Sequence, residues 1–431
     1  MTHKNRLRKA DLLIENASEL LTIRGGTEKP LLGKSMRDLD IIRDGSVAIR
    51  NGRVIAVGKT EEIRKKFESS EVIDASEKVI MPGFVDPHTH LVFAGSREDE
   101  FEMRIEGTSY MEILRSGGGI LKTVWETRRA SKEELLESCR KTLDVMLEHG
   151  TTTVEAKSGY GLTTKDEMKC LEVMKLANEE HPIEIVPTFL GAHAVPAEYK
   201  DTPDEYVNLI TDEMIPKIAA RKLAEFCDVF CEKGVFDVEQ SRRILLKGKE
   251  QGLKPKLHAD EMTRLGGAEL AAEIQAVSAE HMLFSSDDGL KAMAKQRVVA
   301  VLLPGAAFTL MMERYADARR MVELGVPVAL GTDHNPSCWV ESQQTIISLA
   351  CRQMRMTPAE ATVATTINAA HAINRGREIG SLEPGKRADI IVLNVPNHNF
   401  LGYRFGVNLV DKVIKDGRLV VDGARRFRAD S

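Results

Sequence analysis

The sequence predicts an α/β protein: a (β/α)8 TIM-type barrel with a small β-sandwich domain built from both chain termini. Three observations lead there. Between residues 81 and 380, eight apolar runs alternate with amphipathic helical patterns. Two hairpin signals, Asn51-Gly52 and Asp416-Gly417, lie near opposite ends of the chain. Neither end has enough strands for a sheet that is stable alone, so the economical solution pairs them. The expected division is 1–80 plus 381–431 as one composite β domain and 81–380 as the barrel. A doubly wound sheet is the alternative for the central part.

In chain order, Asp11-Leu-Leu-Ile-Glu-Asn16 reads as a strand, and Ser46 to Gly58 as two apolar runs about a type I′ turn. Thr60 to Phe67 reads as a short helix, with Thr60 as N-cap and Ile63 and Phe67 on one face. Barrel strands are expected at Val79–His90, Thr152–Lys157, Glu184–Leu190, Glu225–Cys231, Lys256–His258, Ala276–His281, Val298–Leu303 and Val326–Gly331. Between them, Ser131-Lys-Glu-Glu134 forms a capping box ahead of Leu135, Cys139, Leu143 and Met146 at helical spacing, and Gly150 closes that helix. Thr164, Asp237–Gln251 and Ser286–Lys295 mark further helices. Ala388 to Asn394 is another strand, and Lys412 to Gly423 the second hairpin. One long connection, 94–130, contains Gly117-Gly-Gly119 and reads as a flexible substrate loop, with a surface insertion as the alternative.

Composition narrows the function. The 431 residues are 42% hydrophobic and 29% charged, which describes a globular protein with ample core. A net charge of −5 with both signs interspersed argues against a nucleic-acid partner. No apolar run is long enough to span a bilayer, and the basic N-terminal residues lack the apolar core of a secretory signal. Six scattered cysteines suit a reduced, cytoplasmic protein. Cys227 and Cys231 share a strand face, where burial is the commoner outcome than metal binding. A homodimer is the default assembly.

The chemistry is concentrated at strand ends. Met81-Pro-Gly-Phe-Val-Asp-Pro-His-Thr-His90 starts as an apolar strand and ends in two imidazoles one residue apart. Strand residues two apart share a face, so His88 and His90 aim at one point. A bare His-x-His is often inconsequential, but Asp86 precedes this one and other ligand types close later strands. Gly191-Ala-His193, His258-Ala-Asp-Glu261, Glu280-His281 and Gly331-Thr-Asp333-His-Asn335 would all face the same barrel mouth. His3, His149, His181, His371 and His398 fall elsewhere and read as surface residues. Three imidazoles and a carboxylate, His88, His90, His258 and Asp333, suit one hydrolytic zinc or iron ion, either metal being compatible with that set. Asp333 could also accept the proton of the attacking water. Glu261 could protonate a leaving nitrogen or be a surface glutamate. His281 could be a ligand or hydrogen-bond the water or an oxyanion, and the second role is preferred.

With these residues assembled, nearly the whole chain resembles the metal-dependent amidohydrolase superfamily. Its marks are Pro82-Gly-Phe-Val-Asp-Pro-His-Thr-His90, the fifth-strand His, the sixth-strand His and the eighth-strand Asp. Narrower matches are His88 to Arg97, Lys157-Ser-Gly-Tyr-Gly-Leu162, Gly191-Ala-His-Ala194, Phe230-Cys-Glu-Lys-Gly234 and Leu303-Pro-Gly-Ala306. They point to the branch that hydrolyses the cyclic amide of 4-imidazolone-5-propanoate to N-formimidoyl-L-glutamate in histidine degradation. The resemblance implies His88, His90, His258 and Asp333 as metal ligands. It implies Arg97, Tyr160, His193 and Glu261 as substrate contacts, with Asn335 at the product's polar end. An arginine fork suits a propanoate, and Tyr and His suit the polar edge of a planar ring. One departure stands out: Asn335-Pro-Ser-Cys-Trp339 replaces the Asn-Pro-Gly and small hydroxyl residue usual in that branch. Ser337 would be strained at positive φ, and Trp339 is bulky enough to reshape the pocket.

Three other readings compete. A nucleobase-type aminohydrolase also uses a fifth-strand His followed by Glu, but leaves Arg97 without a purpose. A binuclear site would need a carboxylated lysine, for which Lys233 and Lys157 are the candidates. A catalytically dead scaffold would have lost ligands, and here every ligand position is filled.

Overall fold

The computed structural model describes residues 7–108, 112 and 118–423. Its eight parallel barrel strands follow one another in space as in sequence. They are β1 (Phe84–Thr89), β2 (Thr151–Lys157), β3 (Glu184–Ala192), β4 (Phe226–Cys231), β5 (Lys254–Ala259), β6 (Ser278–His281), β7 (Val299–Leu302) and β8 (Val328–Leu330). Short runs rich in Val, Thr, Phe and Leu favour extended backbone, and amphipathic helices cover them outside. The helix Lys132–Glu148 shows the local logic. The Ser131 hydroxyl accepts from Glu134 N and the Glu134 carboxylate from Ser131 N. Leu135, Cys139, Leu143 and Met146 are buried, and Gly150 follows at φ +94°. Thr163, Asp237 and Ser286 cap the later helices Thr164–Glu180, Val238–Glu250 and Asp287–Gln296 in the same way.

The ring is nearly closed between β1 and the segment after β8. Asp333 N donates to His88 O at 3.0 Å and His90 N to His334 O at 2.8 Å. Below them the Asp86 carboxylate accepts from Thr332 N (3.1 Å) and Thr332 Oγ1 (2.6 Å). Closure therefore draws the two histidines of β1 and Asp333 together through backbone bonds.

The expected strand Val79–His90 proves to be two strands, separated at Gly83. Gly83 N bonds to Asp389 O and Phe84 N to Gly150 O, so pairing passes from one sheet to another between adjacent residues. A Cβ at Gly83 would lie 2.4 Å from Thr152 Cγ2, which leaves room only for glycine at this crossing. Val79–Pro82 instead joins a six-stranded sheet that mixes both chain ends, between Glu19–Leu21 and Ile390–Leu393. A four-stranded sheet of Arg53–Lys59, Gly45–Arg50, Leu12–Ala17 and Val72–Asp74 faces it. Alternation does the packing. Ile80, Ile390, Val392 and Ile414 enter the core between the sheets, whereas Met81, Ile391, Leu393 and Val413 join the large core around the barrel.

Both turn signals hold: Asn51 and Gly52 have φ of +52° and +72°, Asp416 and Gly417 +48° and +75°, as type I′ turns require. The short helix is Thr60–Arg64, with Lys59 as N-cap rather than Thr60. It ends early because Phe67–Glu68 pairs with Arg8–Lys9. Cys227 and Cys231 are buried and unpaired, and burial raises both thiols, Cys231 to about 11. No described helix is long and apolar enough to cross a membrane.

Candidate metal centre and substrate mouth

Every predicted ligand arrives at one point. The Asp333 Oδ1 atom lies 3.3 Å from His88 Nε2 and 3.5 Å from His90 Nε2. The His258 ring is 4.7 Å from that of His88 and 5.6 Å from that of His90. His281 and His193 flank them, at 5.3 Å and 5.8 Å from His258. Potential ligand atoms of His88, His90 and Asp333 lie within 4.8 Å of one another, and His258 makes equally tight groups with His88 and His281 or with His90 and His193. Asp333 and His281 both have positive φ, +54° and +69°. Such backbone costs energy in non-glycine residues and collects where side chains must be aimed.

Two observations test whether a cation fits. His258 Nε2 and Asp333 Oδ1 are buried without a hydrogen-bond partner among the described residues, an expensive state unless a ligand uses them. The opposite ring nitrogens are anchored: His88 Nδ1 lies 2.5 Å from Glu280 Oε2 and His258 Nδ1 3.1 Å from Asp228 Oδ1. Carboxylate-held imidazoles of this kind are the usual support for metal-ligating histidines. The residues fit a divalent cation.

Electrostatics differ sharply from group to group. Burial disfavours charge on His88, but Glu280 and Asp333 outweigh it and raise the ring to about 9, so these carboxylates attract positive charge. Burial also opposes ionisation of Asp333, yet hydrogen bonding and charge from His88 bring it down to about 2. Burial pushes Glu261 up to about 8, with Asp333 and Glu232 adding to the effect. His193 and His281 are both lowered to about 3, first by burial, and stay neutral.

The substrate-facing candidates stand on braced loops. Glu261 Oε2 lies 3.6 Å from His281 Nε2. Its loop is held from two sides. Asp260 accepts from the backbone N–H groups of residues 265 to 268, and Glu232 from those of Met262 and Thr263. Tyr160 sits 5.7 Å from His90 and 5.2 Å from His193, ring to ring. The buried Glu167 carboxylate accepts from Gly159, Gly161 and Leu162 N and so fixes that loop. His193 stacks on His90 at 4.7 Å and 10°. Arg97 precedes the helix Glu98–Ile105 and is buried, its guanidinium without a hydrogen bond or ion pair among the described residues. Gly117 and most of its neighbours in the long connection lie outside the described residues.

The departing loop is quieter than its sequence suggested. Asn335 uses its carboxamide within the loop, donating to Asp333 O and accepting from Ser337 and Cys338 N. Ser337 is absent from the positive-φ residues, so the expected strain does not arise. It accepts instead from Arg104 Nη1 at 3.3 Å. Trp339 is 49% exposed and stands edge-on to Phe93 and His334, at 5.4 Å and 5.5 Å. Of the two lysines considered as metal bridges, Lys233 is exposed, and Lys157 is buried 2.8 Å from each of Glu155, Asp228 and Glu280. Those carboxylates raise its pKa despite burial, and an ammonium so held is no nucleophile for carboxylation.

Sequence reading had passed over Asp228, Glu155, Lys256 and the second role of Glu280. Their signal was available: each is a charged residue inside a strand that is otherwise apolar or small. His149, His181, His371 and His398 are half-buried rather than fully exposed, and each bonds a nearby carbonyl or carboxylate.

A family model described as the amidohydrolase family matches residues 98–421. The solved structures it resembles include an adenosine deaminase from Xanthomonas campestris with bound zinc, at TM-score 0.73 and 19% identity over 99% of this chain and 96% of that one. A 5-methylcytosine deaminase from Klebsiella pneumoniae gives 0.72 and 16% over 96% and 99%. The chain belongs to the amidohydrolase family. Within that family it is most informatively compared with proteins named imidazolonepropionase. That from Alkaliphilus metalliredigens is 52% identical over 96% of this chain and 99% of the relative, and that from Geobacillus kaustophilus 54% over the same shares.

Proposed function

We propose that this mouth hydrolyses the cyclic amide of 4-imidazolone-5-propanoate to N-formimidoyl-L-glutamate, the reaction implied by the name its close relatives carry. The observation that carries the substrate reading is Arg97. A buried guanidinium with no carboxylate of its own calls for an anionic ligand, and a propanoate tail meets its fork bidentately. His88, His90, His258 and Asp333 would hold one zinc or iron ion per chain. Bound there, the ion supplies Lewis-acid charge and makes water a nucleophile near neutral pH.

The chain's own residues then divide the proton work. Asp333, ionised at neutral pH, accepts a proton from the water that attacks the ring carbonyl carbon. Glu261, held mostly protonated, gives a proton to the ring nitrogen as the C–N bond breaks. Neutral His281, next to Glu261, donates a hydrogen bond to the carbonyl oxygen as charge builds there. Tyr160 and His193 meet the polar edge of the ring. Asn335 acts at one remove, by shaping the loop that follows Asp333. We further read the protein as a cytoplasmic homodimer, the reduced cysteines supporting the compartment.

Turnover is the test. Metal-loaded protein mixed with freshly prepared imidazolonepropanoate is expected to remove its ultraviolet absorbance and release no ammonia. Unchanged absorbance would overturn the substrate assignment. Ammonia release would instead favour an aminohydrolase.

A further inference from the structure

We infer that Glu280, Asp228 and Lys157 form one positioning brace that sets how tightly the mouth holds its cation, by fixing which nitrogen of His88 and His258 faces outward. The inference rests on the metal-dependent reading above and extends it to residues below the mouth.

The geometry is specific. Glu280 Oε2 lies 2.5 Å from His88 Nδ1, and Asp228 Oδ1 and Oδ2 lie 3.1 Å from His258 Nδ1. An imidazole whose Nδ1–H donates to a carboxylate is fixed as one tautomer, with the Nε2 lone pair free and more basic. In both residues that leaves Nε2 for the mouth, where His88 Nε2 already faces Asp333. Lys157 Nζ joins the two carboxylates, 2.8 Å from Asp228 Oδ2 and 2.8 Å from Glu280 Oε2. All three side chains are completely buried.

Charge explains the lysine. Glu280 and Asp228 both approach His258, at 4.0 Å and 3.1 Å, and would repel each other without a cation between them. Lys157 lets both stay ionised. Lys256 steadies the other side, 3.1 Å from Glu280 Oε1 and 3.2 Å from Glu155 Oε1. The cluster holds three carboxylates against two ammonium groups, leaving one negative charge in excess beneath the imidazoles. Buried ion clusters of this kind are seldom better for stability than apolar packing of the same volume. Their placement under two ligands supplies the reason to keep them. Because Lys157 contacts both arms, removing one carboxylate changes what the other sees.

The experiment measures zinc affinity of the full chain by chelator competition for wild type, Glu280→Gln, Asp228→Asn and the double variant. The cobalt-substituted absorption spectrum and the melting temperature of the chelated proteins are recorded alongside. Each single change is expected to weaken zinc binding about 10- to 100-fold and to shift the cobalt spectrum. The double variant should lose less than the product of the two single losses, because both act through one lysine. Folded variants that hold zinc as tightly as wild type overturn the brace, as does a lowered melting temperature with zinc affinity unchanged. If a carboxamide variant does not fold, Glu280→Asp decides. It keeps the charge on a shorter arm, so weakened zinc binding supports the brace and unchanged binding overturns it. Wild-type protein that takes up no zinc or iron would defeat the metal-dependent reading itself, a separate result.

Discussion

The two ends of the barrel use the same ingredients to opposite ends. At the N-terminal end, Arg375 reaches Glu184 at 2.8 Å and Glu225 at 2.6 Å, and Arg387 pairs with Glu184 as well. Each carboxylate there has its guanidinium, and the pairs fasten the segment after residue 367 to the starts of β3 and β4. At the C-terminal end, His258 Nε2, Asp333 Oδ1 and the Arg97 Nε are buried without partners among the described residues, and Asp333 and His281 have strained backbone. Charges at the base neutralise one another and hold the fold. Charges at the mouth are left for something that arrives, which is why conserving stability and creating a site pull in different directions.

That contrast can be broken in three ways. The largest effect is expected from Asp333→Ala, which should cut kcat by about three orders of magnitude or more. It should leave the melting temperature of the metal-free protein near that of wild type, because no internal partner is lost. Steady-state kinetics with thermal unfolding checks this, and a collapse of stability would show that Asp333 serves the fold instead. Next comes Arg97→Ala. Losing one carboxylate clamp should raise KM about 100-fold, near 3 kcal/mol, with kcat much less affected. Unchanged KM would remove the propanoate role. The smallest effect belongs to the base. Arg375→Ala should lower stability by about 1–2 kcal/mol, since its pairs are partly solvent-exposed, and leave kcat alone. Denaturant titration measures it, and a loss of activity without a loss of stability would erase the distinction between the two ends.

Much of this was legible in the chain. Apolar runs and helical spacing located all eight barrel strands to within a few residues, and Ser131, Thr163, Asp237 and Ser286 stand at helix starts as their chemistry demands. The residues at the mouth were legible for a related reason: polar ligand types at the ends of apolar strands have few other uses. Less legible was the break at Gly83, because Val79 to Thr89 is one uninterrupted extended run and only its pairing partners change. Nor did the sequence show that Ser337 escapes strain or that Trp339 lies against Phe93 and His334 instead of filling the pocket.

What the sequence determined by itself was periodicity and chemistry: period-two strands, capped helices, two Gly-containing hairpin turns, and His88, His90, His258 and Asp333 at strand ends. These are local properties, set by backbone preference and by which side chains can bind a cation. The tertiary structure alone decided that β1 meets the segment after β8, so that Asp333 N bonds His88 O and the four ligands converge. It alone placed Asp228 and Glu280 behind two imidazoles with Lys157 between them. Those contacts join residues far apart in the chain. Their strength depends on burial and distance, neither of which exists until the barrel has formed.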